Sequence, residues 1–166
     1  MRSADLHLIA LLTALGGGVA LGVAEASQYW GGLVPCALCL VERWPYRVVI
    51  AVGLIASIVP RDVTRVLLWL AFVALLAAAV LGAIHVGVEQ GLWPSPLPEC
   101  AAPHISIGNL SQMLSSLPAR PSKPCDAPSF LIPGLPVSMA AMNLIYALAL
   151  AALLATSLLQ RRRRYA

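Results

Sequence analysis

Four long hydrophobic stretches constrain the fold of this chain more than any other feature. They cover approximately residues 6–26, 35–59, 66–88 and 136–159. An apolar helix needs about 20 residues to cross roughly 30 Å of hydrocarbon, so each stretch qualifies or comes close. Hydrophobic residues make up 60% of the chain and charged residues only 11%. The sequence therefore predicts an all-α membrane protein, a four-transmembrane-helix bundle in a single domain over residues 1–166.

The basic residues indicate how the helices are oriented. Seven of the eleven lie at the two termini and in the predicted connection of residues 60–65, as Arg2, Arg61, Arg65 and Arg161 to Arg164. Because positive charge collects on the cytoplasmic side, we expect both termini to be cytoplasmic and the polar loop of about residues 89–135 to lie outside. Topology and anionic lipids explain the C-terminal basic run better than nucleic acid does.

The first stretch has one alternative interpretation, a cleaved signal peptide. Ala24-Glu25-Ala26 has the small-x-small form that signal peptidase prefers. However, the apolar stretch of roughly 19 residues exceeds the usual signal-peptide core of about 7 to 15 residues. We therefore favour a retained helix.

This topology places all four cysteines at or beyond the outer membrane surface, where disulfides persist: Cys36, Cys39, Cys100 and Cys125. Three pairings are possible, of which 36 with 39 and 100 with 125 are favoured by position. A loop disulfide between 100 and 125 would add roughly 3.5 kcal/mol of stability in the chain-entropy model. The ring closed by 36 and 39 is too short for such a gain, so this pair is better suited to redox exchange.

The first of these cysteines is expected near a helix N-terminus. Pro35 suits the first helical position and places Cys36 in the first turn, where the helix dipole stabilises a thiolate. At about 100° per residue, one helix face carries Cys36, Cys39, Arg43 and Arg47. Arginine at membrane depth is a functional candidate, although anchoring to lipid headgroups is the alternative for both arginines.

The sequence gives less evidence of a functional role for Glu42 and His85, two further residues near the outer surface. Glu42 points away from the cysteine face, where it could pair with a basic neighbour or face the interface, and we assign it no chemistry. His85, near the outer end of the third stretch, could donate a hydrogen bond to a bound carbonyl group or could simply be satisfied by a neighbouring helix. His7 and His104 are expected to be interfacial or exposed.

A zinc site is the other standard interpretation of a Cys-x-x-Cys motif with two further cysteines. Here 24 residues separate the second two cysteines, the compartment is oxidising, and no His-x-x-His pattern supplies further ligands. We therefore predict no metal.

The motifs occur in a characteristic order. Residues 35–39 read PCALC and are followed by Glu42-Arg43, residues 93–96 read WPSP before Cys100, and Cys125-Asp126 precedes the last helix. This ordered set resembles the DsbB family of quinone-linked thiol oxidases over nearly the whole chain. Vitamin K epoxide reductase relatives differ, since they carry the loop cysteines before the Cys-x-x-Cys motif.

The resemblance implies a quinone-dependent protein disulfide oxidoreductase of the bacterial inner membrane. It would reoxidise a periplasmic thioredoxin-fold dithiol protein, similar to DsbA, and pass the electrons to ubiquinone or menaquinone. The implied catalytic residues are Cys36, Cys39, Cys100 and Cys125, with the partner attacking Cys100. The implied quinone site consists of Cys39 and Arg43, to which we add His85 as a candidate.

The periplasmic loop is predicted to carry a short interfacial helix. Between residues 104 and 117, apolar side chains recur at helical spacing, at Ile107, Leu110, Leu114 and Leu117. Such a helix would tether the loop cysteines to the membrane.

Two alternatives to a general thiol oxidase remain open. One is a non-enzymatic membrane subunit or scaffold whose disulfides only stabilise the outer loop. The other is a related oxidase with one dedicated substrate.

Overall fold

The computed structural model describes residues 3–100, 123–132 and 134–163. These ranges contain four long helices and a 3-10 helix: α1 over Ser3–Tyr29, α2 over Ala37–Ala56, α3 over Arg61–Glu89, α4 over Met139–Arg163, and the 3-10 helix over Pro98–Cys100. The described residues form no β-strand beyond an isolated bridge. The prediction of an all-helical fold is confirmed for this part of the chain.

Three of the helices are long and apolar enough to cross a membrane, at Asp5–Tyr29, Arg61–Glu89 and Met139–Leu159. The remaining helix, α2, has 20 residues and contains the charged residues Glu42, Arg43 and Arg47. The chain is thus a membrane protein, whereas α2 as a fourth span stays a prediction. The predicted interfacial helix of residues 104–117 lies outside the described residues.

The connection between α2 and α3 comes earlier in the chain than the sequence predicts. Since α2 ends at Ala56 and α3 begins at Arg61, the connection covers residues 57–60 rather than 60–65. The buried Thr64 hydroxyl lies within 3.2 Å of three backbone carbonyl oxygens at this turn. The charged residues Asp62 and Arg65 at the start of α3 are exposed, whereas Thr64 between them is buried.

The bundle core is built from small and branched side chains of all four helices, including Ala10, Val49, Leu68, Ala71, Leu75, Ala78, Ala147 and Leu154. Helices α1 and α2 are in close contact at Gly53. A Cβ atom there would lie 2.9 Å from the Ala10 carbonyl oxygen, which is backbone and cannot move aside. Large apolar side chains such as Leu12, Leu15 and Val73 cover the outer surface instead. That distribution suits a bundle surrounded by lipid.

A second, smaller cluster lies at one end of the bundle, where α2 begins and α3 ends. Its buried members are Cys36, Leu38, Val88, Cys100 and Cys125, and Cys39 packs against them. The fold therefore brings all four cysteines together, and this end of the bundle contains the candidate site.

Candidate functional site

Cys36 and Cys39 lie at the N-terminus of α2, both as free thiols. Cys36 is the N-cap residue with an extended backbone, rather than a residue of the first turn as predicted. Its Sγ accepts a hydrogen bond from the Cys39 N–H at 3.2 Å, because the first N–H groups of a helix have no partner within the helix. The two Sγ atoms are 2.8 Å apart. A disulfide bond of about 2.05 Å can therefore form with small side-chain movements.

Cys100 and Cys125 form a disulfide, which confirms the predicted pairing of the loop cysteines. The Cys125 N–H also donates to the Cys100 carbonyl oxygen at 3.4 Å. An isolated parallel bridge joins Cys36 to Lys123, two residues before Cys125. The returning loop is thereby held against the start of α2, so one disulfide and one dithiol share a buried cluster.

A pocket opens beside this cluster, between α1, α2 and α4. Cys39, Glu42, Arg43 and Tyr46 of α2 line it, together with Leu21 and Ala24 of α1, Met139, Ala140 and Asn143 of α4, and connecting residues including Pro35. Cys39 therefore belongs to both the cysteine cluster and the pocket wall. Most of the lining is apolar, which suits a lipid-soluble ligand.

Arg43 is buried in the pocket wall and is paired with α1. It donates to Glu25 at 2.9 Å and to the Ala24 carbonyl oxygen at 3.3 Å. Its Nε–H has no hydrogen-bond partner among the described residues. A buried donor without a partner costs free energy, so this group would gain from a ligand oxygen. Arg47, by contrast, is exposed, and its guanidinium lies 5.0 Å from the centre of the Trp44 ring.

His85 lies behind the cysteine pair rather than in the pocket lining. Its Nε2 is 3.5 Å from Cys36 Sγ, and its Nδ1 is 2.8 Å from Glu42 Oε1. The role of His85 as a quinone ligand stays a prediction. Glu42, which we expected to pair with a basic neighbour or to face the interface, is buried and pairs with His85, because α3 packs on that side of α2.

Two polar residues that were not predicted from the sequence continue this network. Asn143 Nδ2 donates to Glu42 Oε2 at 2.9 Å, and the Tyr46 hydroxyl donates to Asn143 Oδ1 at 2.6 Å. A signal for Asn143 was present, since a polar residue inside an apolar segment is a functional candidate by default. Its partner on another helix was not predictable from spacing.

Three side chains here meet the broad requirement for a metal site. The two Sγ atoms and a His85 ring nitrogen lie within 4.8 Å of one another. Two thiolates on tetrahedral zinc lie roughly 3.8 Å apart, as Zn–S bonds of about 2.3 Å require. Because Cys36 and Cys39 have their Sγ atoms 2.8 Å apart, the arrangement suits sulfur–sulfur exchange better than zinc.

Comparisons of the sequence with known proteins found one family and one relative with a clear similarity to this chain. The sequence model of a family described as disulfide bond formation protein DsbB matches residues 6–157, a range that includes all four cysteines. An uncharacterized protein of Rickettsia prowazekii (strain Madrid E) is 31% identical over 132 residues, which cover 76% of this chain and 73% of the relative. No solved structure matches the chain.

Proposed function

The chain belongs to the DsbB family of disulfide bond formation proteins, and from that premise we propose that it is a quinone-dependent protein disulfide oxidoreductase. It reoxidises a periplasmic thioredoxin-fold dithiol protein, similar to DsbA, and passes the electrons to ubiquinone or menaquinone. Family membership implies thiol oxidase activity. The electron acceptor and the partner are the parts that we add.

The observation that carries the proposal is the position of Cys39. It packs in the same cluster as the Cys100–Cys125 disulfide and also lines the pocket. Cys39, which would exchange with the loop disulfide, therefore also borders the pocket that we assign to the electron acceptor. A disulfide that only stabilised the outer loop would need no such second pair.

The proposed reaction consists of thiol–disulfide exchanges that conserve two electrons. A partner thiolate attacks Cys100, the Cys100–Cys125 bond breaks, and the second partner thiol then releases the partner as a disulfide. The reduced loop pair next reduces a disulfide between Cys36 and Cys39. That pair, now a dithiol, passes two electrons and two protons to the quinone and becomes a disulfide again.

The pocket has the features that quinone binding requires. A quinone ring is flat and apolar with two carbonyl acceptors, and the pocket offers a mostly apolar wall that includes the hydrogen-bond donor Arg43. Cys39 reaches the same pocket, where its sulfur would contact the ring. These features support Arg43 and Cys39 as quinone-binding residues.

The proposed orientation follows from the distribution of charge. With four spans and both termini in the cytoplasm, the cysteine cluster faces the periplasm of a bacterial inner membrane. That compartment permits disulfides, whereas the cytosol keeps thiols reduced. The connection of residues 57–60 would then be cytoplasmic.

Quinone reduction by the purified protein tests the proposal. The detergent-solubilised chain is mixed with oxidised quinone and a reduced thioredoxin-fold dithiol protein, and the ultraviolet absorbance of the oxidised quinone is followed. We expect turnover in the wild type and in Thr156→Ser, an exposed control in α4, and none in Cys39→Ser. Absence of turnover with both quinones would contradict the proposal and favour the scaffold interpretation.

A further inference from the structure

His85 of α3 connects Cys36 to Glu42 of α2 through two buried hydrogen bonds. Cys36 Sγ lies 3.5 Å from His85 Nε2, and His85 Nδ1 lies 2.8 Å from Glu42 Oε1. All three residues are less than a tenth exposed. A thiol, an imidazole and a carboxylate in this order are the parts of an activated nucleophile.

An ionised Glu42 would determine which nitrogen of His85 carries the proton. Asn143 Nδ2 is a donor to Glu42 Oε2, so this oxygen acts as an acceptor. An ionised Glu42 only accepts hydrogen bonds, and therefore His85 Nδ1 is its donor. In neutral His85 the other nitrogen, Nε2, then presents a lone pair to Cys36. This is the tautomer that can accept the thiol proton.

The two cysteines also face different surroundings. Cys39 lines the pocket, whereas His85, which contacts Cys36, does not. The sulfur that meets the electron acceptor is thus Cys39, and the sulfur that must lose a proton to close the disulfide is Cys36. The thiolate is the reactive form in such exchange.

We propose, on the basis of the proposed function, that His85 is the proton acceptor of Cys36 and that Glu42 is its positioning residue. When the reduced pair is oxidised, the Cys36 S–H bond breaks and its proton goes to His85 Nε2. The Cys39 S–H bond also breaks, the Cys36 sulfur forms a bond with the Cys39 sulfur, and two electrons leave through Cys39 to the quinone. The two thiol protons complete the quinol, one of them after residence on His85, whose positive charge Glu42 stabilises.

The amide variant of the carboxylate tests the tautomer directly. In Glu42→Gln, the side-chain oxygen is expected to keep the bond from Asn143, which turns the new NH₂ group towards His85 Nδ1. His85 then accepts at Nδ1 and carries its proton on Nε2, where it cannot take one from Cys36. We expect Glu42→Gln and His85→Gln to lower the single-turnover rate of quinone reduction by about 100-fold or more.

Alkylation of Cys36 separates this role from a structural one. In a Cys39→Ser background with the Cys100–Cys125 disulfide intact, Cys36 is the only free thiol. At pH 7 we expect His85→Gln and Glu42→Gln to slow its reaction with iodoacetamide at least about tenfold, because the thiolate fraction falls. Loosened packing would expose Cys36 and speed the reaction instead. His7→Gln, at a histidine bonded to the Val59 carbonyl in the distant turn, is the matched control.

The outcomes are distinguishable from a failure of the proposed function. Suppose that the wild-type protein reduces quinone. The proton-acceptor role is then wrong, and the oxidase function stands, if both variants keep the wild-type single-turnover rate within about twofold. The same conclusion follows if Cys36 in both variants is alkylated as fast as in the Cys39→Ser background, or faster. If the wild type reduces no quinone, the proposed function fails. The alkylation rates then still decide whether His85 activates Cys36.

Discussion

Arg43 on α2 and Glu25 on α1 form an ion pair of 2.9 Å at the wall of the pocket. The arginine side chain is 9% exposed and the glutamate side chain 34% exposed. The ion pair offsets the free-energy cost of placing a guanidinium group at membrane depth. It joins α1 to α2 beside the pocket. It also means that the first helix contributes directly to the site.

Arg43 is expected to determine quinone affinity. Arg43→Met removes the donor that we assign to a quinone carbonyl, which is worth about 1.5–3 kcal/mol for a charged group, or roughly 10- to 100-fold in the KM for quinone. Arg47→Met is the matched control, because Arg47 is exposed and stacks on Trp44. Steady-state kinetics at varied quinone concentration measure both. Equal effects of the two substitutions would contradict a specific role for Arg43.

The loop pair is expected to be needed only for the protein partner. A Cys100→Ser/Cys125→Ser variant should lose oxidation of the thioredoxin-fold dithiol and still reduce quinone with dithiothreitol, since Cys39 lines an open pocket. Cys39→Ser should lose both activities. The measurement is quinone absorbance with each reductant. Loss of the dithiothreitol reaction in the folded loop variant would show that the second pair cannot work alone.

Helix packing at Gly53 gives a prediction about stability. Gly53→Ala places a Cβ 2.9 Å from the Ala10 carbonyl oxygen and should destabilise the bundle by about 1–3 kcal/mol. Gly18→Ala is the matched control, because its new methyl group meets nothing within 4 Å. Thermal unfolding in detergent should show a lower midpoint for the first variant only. Similar midpoints would mean that α1 and α2 are not in close contact there.

The proposed orientation is tested with single cysteines in an otherwise cysteine-free chain. Leu92→Cys, beyond the end of α3, should react with a membrane-impermeant maleimide in spheroplasts. Ile58→Cys, in the connection of residues 57–60, should react only after the membrane is permeabilised. Both native side chains are exposed, so accessibility within the fold does not separate the two positions. The reverse pattern of labelling would invert the topology.

The sequence was sufficient for much of the site because its signals are local. Cys36, Cys39 and Arg43 lie within eight consecutive residues, so helical spacing alone places them near one another. The pairing of Cys100 with Cys125 followed from their shared position in the outer loop. The helix limits were less predictable, since capping by Cys36 and by the turn at residues 57–60 depends on hydrogen bonds that hydropathy does not report.

The network behind the cysteines was out of reach for a different reason. Glu42 and His85 are 43 residues apart, and Glu42 and Asn143 are 101 apart. Their contacts depend on how α2, α3 and α4 are rotated about their axes. A helical projection gives the direction of Glu42 from Cys36, but it does not say which helix packs on that side.

The central claim is that partner oxidation and quinone reduction are one coupled reaction through Cys39. It is tested most directly by adding a limiting amount of reduced thioredoxin-fold dithiol to the purified protein and quinone without oxygen. Quinol formed and partner disulfide formed are then measured in the same sample. With the partner in several-fold excess over the protein, we expect one quinol per partner disulfide in the wild type. In Cys39→Ser we expect no quinol and at most one partner disulfide per protein molecule, from the Cys100–Cys125 bond. Repeated partner oxidation without quinol in either protein, or quinol formed without partner disulfide, would contradict the claim.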